Sequence, residues 1–436
     1  MFDKEESKLT EWKEQYDSIN IPLEKINKAI DAGYKKGTIP IKKKRKTWIW
    51  PSIAAAILII GFLTTIRVSP TFAEYLSTVP GMEKIVELIS NNKGLLAAID
   101  NEYAQEIGVS QEKNGMNVTI DSLIKDDTGM VIFYSVKANE ELQNFQIENV
   151  ELQTKEGTKI NYDSLSFGNP ADDKAKTYTD VLEYYFSKPL KDQELQLTIK
   201  VKNDSKITSF TLPITVKKQE NKSKVFDLNK TVNIEDQKIK VKKVKVDPLR
   251  IAVHLEMDPN NSKQILEFQD IRLVDQHGEA WSKISNGITS SKISANEQIV
   301  YLQSNYFKTP EELYLVFNKI QAVEKGDTAV IVDTEKQKII QQPKGNKLSN
   351  LQVEGQDIRF NLETKKEFNY FIFSSIKDST GREIESDSGF SYGFDIDRYT
   401  QEIGVTLANN NYSNPIELEL SFYPSWIEGE VKMKLE

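Results

Sequence analysis

The sequence predicts a mainly β protein with a short cytoplasmic α-helical segment, one transmembrane helix, a helical juxtamembrane stalk and three tandem immunoglobulin-like β-sandwich repeats. Three observations carry that expectation. Between Lys46 and Arg67 lie 20 residues without a charge, TWIWPSIAAAILIIGFLTTI, about the length of helix that a bilayer's hydrocarbon core requires. From about residue 110 apolar residues alternate with polar ones between turn signals, as half-buried strands do. That alternating part repeats its order of features three times, with glycine-to-proline spacings of 32, 32 and 34 (Gly157 to Pro189, Gly278 to Pro310, Gly381 to Pro415).

Composition narrows the function classes. The chain has 436 residues, roughly three folding units at about 150 residues each. It has no cysteine and two histidines, which removes disulfides, thiolate chemistry, Fe–S clusters and Cys-type zinc sites and leaves little for a catalytic triad. With 39% hydrophobic residues and a mean hydropathy of −0.49, a multi-spanning transporter body is excluded. No G-x-S-x-G, P-loop or dinucleotide fingerprint is present, so the sequence reads as a non-enzyme without a cofactor or metal.

Residues 1–47 form the first expected unit. Leu9, Trp12 and Tyr16 share one face of a helix over about 4–17. Ile19 precedes a second helix capped by Asn20, with Pro22 in its first turn and Leu23, Ile26 and Ile30 as its stripe. So short a segment cannot bury these faces by itself, which makes them candidates for a partner's groove; the competing reading packs the two helices on each other or on the membrane surface. The span follows over 48–66, with Trp48 and Trp50 at its interface end. A cleaved leader ending near Thr71-Phe72-Ala73 would need 46 residues ahead of its apolar run, far more than usual.

Lys42, Lys43, Lys44, Arg45 and Lys46 precede the span and only Arg67 follows it closely. The positive-inside rule therefore places the N-terminus in the cytoplasm and the C-terminus outside. Residues 1–47 carry 12 basic and 8 acidic side chains, and the rest of the chain 45 and 57, so the acidic part is the part placed outside.

After the span, an apolar helical pattern over about 72–103, broken at Pro80-Gly81, predicts a stalk within 67–108. Sandwiches are expected over 109–218, 226–340 and 348–436, joined by 217–225 (KKQENKSKV) and about 341–347 (QQPKGNK). Their first alternating strands are Met116-Val118-Ile120, Ile239-Val241-Val244 and Ile358-Phe360-Leu362. A second, more continuous strand follows at Val131 to Tyr134, Ile251 to Leu255 and Tyr370 to Phe373. A hairpin then turns at Gly157, Gly278 and Gly381. His254 in a strand and His277 at a hairpin tip read as structural or solvent-exposed. Asp387, Asp395 and Asp397 supply oxygens but lack the glycine-spaced loop of a calcium site.

The stretch SPTFAEYLSTVPGMEKIVELISNNKGLLAAIDNEYAQEIG, residues 69–108, together with the basic run and the single span, resembles a family of Firmicutes single-pass membrane proteins. Phe72-Ala73-Glu74-Tyr75 and Pro80-Gly81 are its most recognisable words. The family's extracytoplasmic, immunoglobulin-like region has no defined activity, and its members include the anti-sigma factor that restrains extracytoplasmic-function (ECF) sigma factor M. The resemblance covers about residues 19–140, and the chain lacks the His-Cys-Cys motif of zinc-binding anti-sigma factors. It implies an ECF sigma factor as the cytoplasmic partner of Leu9, Trp12, Tyr16, Ile19, Leu23, Ile26 and Ile30, and no direct nucleic-acid binding. A second membrane protein or a cell-wall component is a further candidate partner. The alternative reading is a cell-surface or cell-wall-interacting, adhesion-like module with a non-signalling anchor.

Overall fold

The computed structural model describes residues 66–68, 89, 91–169, 175–218, 222–284 and 290–436. The predicted N-terminal helices, Lys42 to Lys46 and the span up to residue 65 lie outside the described residues. Ile66, the last residue of the predicted span, opens a short strand. Among the described residues no helix is long and apolar enough to cross a membrane. Residues 64–436 form one compact body, mainly β, with several antiparallel sheets and a short helix.

The first two-sheet layer contains β1 (Ile66–Val68), α1 (Lys93–Asp100), β2 (Gln105–Lys113), β3 (Met116–Lys125), β4 (Gly129–Ala138), β5 (Gln146–Thr154), β6 (Ser164–Ser166), β7 (Thr177–Tyr185), β8 (Glu194–Asn203) and β9 (Lys206–Thr215). One sheet runs β1-β2-β3-β4-β7-β6 and the other β5-β8-β9. They share a core in which Val118, Ile120 and Ile132 meet Leu152, Leu197 and Phe210. Gln105 to Gly108, expected in the helical stalk, are the first residues of β2. The Gln105 side chain ties them down, exchanging hydrogen bonds with the backbone N–H (2.8 Å) and C=O (3.1 Å) of Lys217 just beyond β9.

The second layer contains β10 (Lys224–Ile234), β11 (Gln237–Val246), β12 (Arg250–Met257), β13 (Lys263–Phe268), β14 (Arg272–Asp275), β15 (Ala280–Trp281), β16 (Ser290–Ser294), β17 (Glu297–Gln303) and β18 (Leu313–Glu324). The third contains β19 (Ala329–Asp333), β20 (Lys338–Gln341), β21 (Leu348–Glu354), β22 (Asp357–Glu363), β23 (Phe373–Asp378), β24 (Ser386–Asp395), β25 (Thr400–Leu407) and β26 (Ile416–Leu420), and the last strand is β27 (Trp426–Lys434). The large sheets run β10-β11-β12-β17-β16 and β21-β22-β25-β24, and each faces a sheet of as many but mostly shorter strands, β13-β18-β14-β15 with β27 beside β18 and β20-β19-β26-β23.

The repeated hairpin is present three times with the same geometry. Gly157, Gly278 and Gly381 have φ of 88°, 83° and 83°, the left-handed region that favours glycine. Each donates its N–H to the carbonyl three residues earlier, on Thr154, Asp275 and Asp378 respectively.

The third layer is nested in the second rather than following it. In the first layer β8 turns through Asp204-Ser205 straight into its neighbour β9. In the second, β13 and β14 share one edge of β18. The other edge is filled by β27, the last strand of the chain. In the third, the same position beside β26 is taken by β19, which precedes that layer's large sheet. Sheet pairing therefore crosses the expected 341–347 boundary in both directions.

The strand expected over Tyr370 to Phe373 also differs: β23 begins only at Phe373, and β22 pairs directly with β25. By pairing order β21-β22 corresponds to β3-β4 and β11-β12, one strand earlier than the sequence alignment. In β4 and β12 nearly every residue is buried, because something covers both faces. β22 is covered on one side only, so Ile358, Phe360 and Leu362 alternate with half-exposed Arg359 and Asn361, which disguises the correspondence.

Candidate functional site

The element that covers β4 is α1. Asn92 caps it, its side-chain oxygen accepting from Leu95 N–H at 3.1 Å, and its inward residues Leu95 and Ala98 are buried. They join Ile89, Ile124, Val131 and Phe133 of the first layer and Leu249 of the second in one apolar cluster. Tyr103, just past the helix, lies 5.0 Å from Phe307.

The polar start of α1 reaches the second layer. Gln303 donates to the Asn91 carbonyl at 2.9 Å and accepts from Lys93 N–H at 3.3 Å. The Lys93 ammonium donates to the Ala280 carbonyl at 3.3 Å and lies 3.5 Å from Glu279. At Gly94 a Cβ would come within 2.9 Å of the Ser304 backbone N and O, so the close approach of helix and sheet requires a glycine.

Beneath α1 the two layers meet through buried polar groups. Asp126 Oδ1 accepts from the N–H groups of Thr128 and Gly129 (2.6 and 3.0 Å) and from the Thr128 hydroxyl (2.7 Å), while Oδ2 accepts from Leu249 N–H at 2.8 Å. Burial pushes the Asp126 carboxyl above its ordinary value, against those hydrogen bonds. Arg250, 5% exposed, holds its guanidinium carbon 4.0 Å from the Tyr301 ring centroid and 4.7 Å from that of Tyr185. A guanidinium stacks on aromatic faces in a way that ammonium does not, so Arg250 welds a tyrosine of each layer together.

Glu183 lies beside this weld on β7 and accepts from the Tyr185 hydroxyl at 3.4 Å. Burial raises its pKa from 4.5 to about 7. A carboxyl whose folded-state value is raised loses stability as pH climbs from the unfolded to the folded value, here across about pH 4.5 to 7. Glu183→Gln is therefore expected to raise the melting temperature at pH 8, by the equivalent of about 3 kcal/mol, and to leave it nearly unchanged at pH 4.5. Thermal melts at the two pH values check this, and equal shifts at both would refute it.

The arrangement holds no nucleophile and base in contact, and among the described residues no three His, Asp or Glu side chains group as a metal would require. Its capacity is mechanical: it fixes the segment preceding β2 to two layers at once. Leu9, Trp12, Tyr16, Ile19, Leu23, Ile26, Ile30 and Lys42 to Lys46 all fall outside the described residues. His254 lies half-exposed on the outer face of β12, and His277 sits at its hairpin tip, donating its N–H to Asp275 Oδ1 at 2.8 Å. Asp395 accepts from the N–H groups of Asp397 and Arg398 (3.0 and 3.1 Å). Asp387 is eight residues away along β24, roughly 26 Å in an extended strand, too far to share a cation with it.

The junction residues had faint sequence signals. Asp126-Asp127-Thr128-Gly129 reads as a turn with a side-chain acceptor. Arginine is scarce, 7 among 57 basic residues, so Arg250 stands out after the lysine-rich stretch of β11.

Residues 43–138 match a domain of unknown function, DUF4179, which spans the basic run, α1 and the β2–β4 face that α1 covers. Residues 223–354 match a second family of unknown function, DUF5643, from the start of β10 to the end of β21. No curated protein matches the chain. A solved structure described as the conserved domain protein from Bacillus anthracis aligns over 55% of this chain and 84% of its own, at 16% identity and a TM-score of 0.39.

Proposed function

We propose that this protein is a single-pass membrane regulator of the anti-sigma type. Its cytoplasmic residues 1–47 sequester an ECF sigma factor, and its β region, read as immunoglobulin-like, meets the cell envelope outside. The observation that carries the reading is the match of residues 43–138 to a domain found in anti-sigma-factor-like membrane proteins, in register with the basic run and the 20-residue uncharged segment. The mechanism is mutual exclusion: Leu9, Trp12, Tyr16, Ile19, Leu23, Ile26 and Ile30 occupy a surface of the sigma factor that RNA polymerase also needs. Clamping of α1 by two layers supports a transmitting role, because a displacement of either layer against the other acts on the helix they share.

Trp12→Ala combined with Ile26→Ala removes two large anchors of that surface. Truncated anchors at interface centres cost about 2 kcal/mol or more each, so the double variant is expected to relieve repression of an ECF-sigma-dependent reporter at least tenfold with membrane level unchanged. Unaltered reporter output would sink the reading. The adhesion-like alternative draws on one observation, the exposed rings of Phe371, Tyr392 and Tyr399 in the third layer. It predicts that the same double variant changes no transcription, whereas loss of those rings alters wall binding.

A further inference from the structure

The outer face of the second layer's large sheet has a charge pattern unlike the rest of the acidic β region. On β11 the core side is Ile239, Val241, Val244 and Val246, all buried. The opposite side is Lys238, Lys240, Lys242, Lys243 and Lys245, with no acidic residue in the strand. Strict alternation would turn one of the consecutive lysines Lys242 and Lys243 into the core. A register shift against β12 between Val241 and Lys243 prevents this, since a bulge admits an extra residue without flipping those that follow. The result is a lysine row about 23 Å long, with a charge about every 6.7 Å at i, i+2 spacing.

The surroundings of the row are defined. Lys242 lies 2.7 Å from Glu297 and 3.9 Å from Glu256, Lys245 2.9 Å from Asp247, and Lys238 3.9 Å from Asp258. Lys240 and Lys243, both half-exposed, enter no ion pair among the described residues. His254 is directly opposite Lys243 on β12. Its pKa is lowered from 6.5 to about 4, first by burial and then by Lys243, Lys242 and Lys245, against Glu297.

We propose that β11 is a docking strip for a linear phosphodiester polyanion of the polyol-phosphate kind, with Lys240 and Lys243 as its principal contacts. A one-strand row bordered by Asp227 on β10 and by Glu256 and Glu297 on β12 and β17 suits a thread of phosphates. A flat anionic membrane pressed on the same face would meet those carboxylates as well. A nucleic-acid strand has phosphates at a comparable spacing but takes its affinity partly from bases stacked on exposed rings. Beside the row the described neighbours are Val225, Asp227, Thr231, Asn233, Ala252, His254 and Glu256, and the one ring among them, the His254 imidazole, is half-buried rather than an exposed stacking platform. Meeting such a polymer outside the cell rests on the topology proposed above; binding in solution does not, so failure of one leaves the other standing.

The test uses the full-length protein in detergent micelles, with fluorescently labelled poly(glycerol phosphate), single-stranded DNA and phosphatidylglycerol vesicles as probes. Poly(glycerol phosphate) is expected to bind with an affinity that falls steeply with salt. Lys240→Gln with Lys243→Gln is expected to weaken binding about tenfold and to reduce the log–log salt slope by about 1.4, at about 0.7 per phosphate contact on a single strand. Lys240→Arg with Lys243→Arg keeps the charge and should retain binding. Lys200→Gln with Lys206→Gln, exposed on the first layer, should change nothing. Absence of salt-dependent binding, equal binding by the Gln double variant, or tighter binding of DNA or vesicles than of the polymer would each overturn the proposal.

Discussion

Removing residues 426–436 is expected to unfold the second layer, although the cut lies about a hundred residues beyond the rest of it. β27 supplies Ile427, Val431 and Met433 to that layer's core, and Leu435 follows just past it. It also pairs along β18 from Tyr314 to Gln321. Loss of a large buried apolar side chain costs about 2–5 kcal/mol, and four of them together rival the whole stability of an ordinary domain, about 5–15 kcal/mol. Hydrogen exchange should show the β10–β18 amides losing protection in the truncated chain. The complementary excision, residues 326–424 replaced by a short Gly-Ser linker, rebuilds the hairpin that β8 and β9 form in the first layer and should leave the second layer folded. If truncation spared the second layer and excision destroyed it, the nested topology would be wrong.

Leu95→Asp is expected to release α1 from the junction. Leu95 is 2% exposed and touches an apolar cluster drawn from both layers. A carboxylate placed there has no cation or donor to meet, a penalty of several kcal/mol. Detachment of the helix relieves it more cheaply than unfolding two cores does. Amides of residues 93–100 should then exchange rapidly while those of β3, β4 and β12 stay protected, and limited proteolysis should cut between residues 91 and 104. Uniform destabilisation of both layers would mean that α1 is part of their folding rather than a clamp laid over the junction.

Much of the β region was legible in the sequence, for reasons that particular residues make clear. Gly157, Gly278 and Gly381 are visible because their shared backbone conformation excludes most other residues. Met116, Val118 and Ile120 are visible because one face of β3 meets the core and the pattern follows the pleat. The nesting of the third layer was not legible. Ile427, Val431 and Met433 alternate in the same way whether β27 closes its own layer or another one, since a strand's pattern records which face is buried and not which edge it joins. The misplacement of Tyr370 to Phe373 has a related cause: the continuous apolar runs of β4 and β12 report what lies on their outer faces, α1 and the first layer, and β22 lacks such a cover. The junction was hardest to foresee, because Asp126, Glu183, Arg250 and Gln303 come from distant segments and only pairing brings them together. The lysines of β11 stand plainly in the sequence, yet that all five share one face depends on a bulge that composition does not reveal.

The anti-sigma reading is tested most directly by competition for the sigma factor. The full-length protein in micelles, a purified ECF sigma factor encoded beside its gene and core RNA polymerase would be mixed, and the sigma factor bound to polymerase measured as the full-length protein is titrated. The wild-type chain is expected to displace the sigma factor from polymerase, and the Trp12→Ala, Ile26→Ala chain to do so at least tenfold less well. A sigma factor that stays on polymerase at saturating wild-type chain, or is displaced equally by both chains, would contradict that reading.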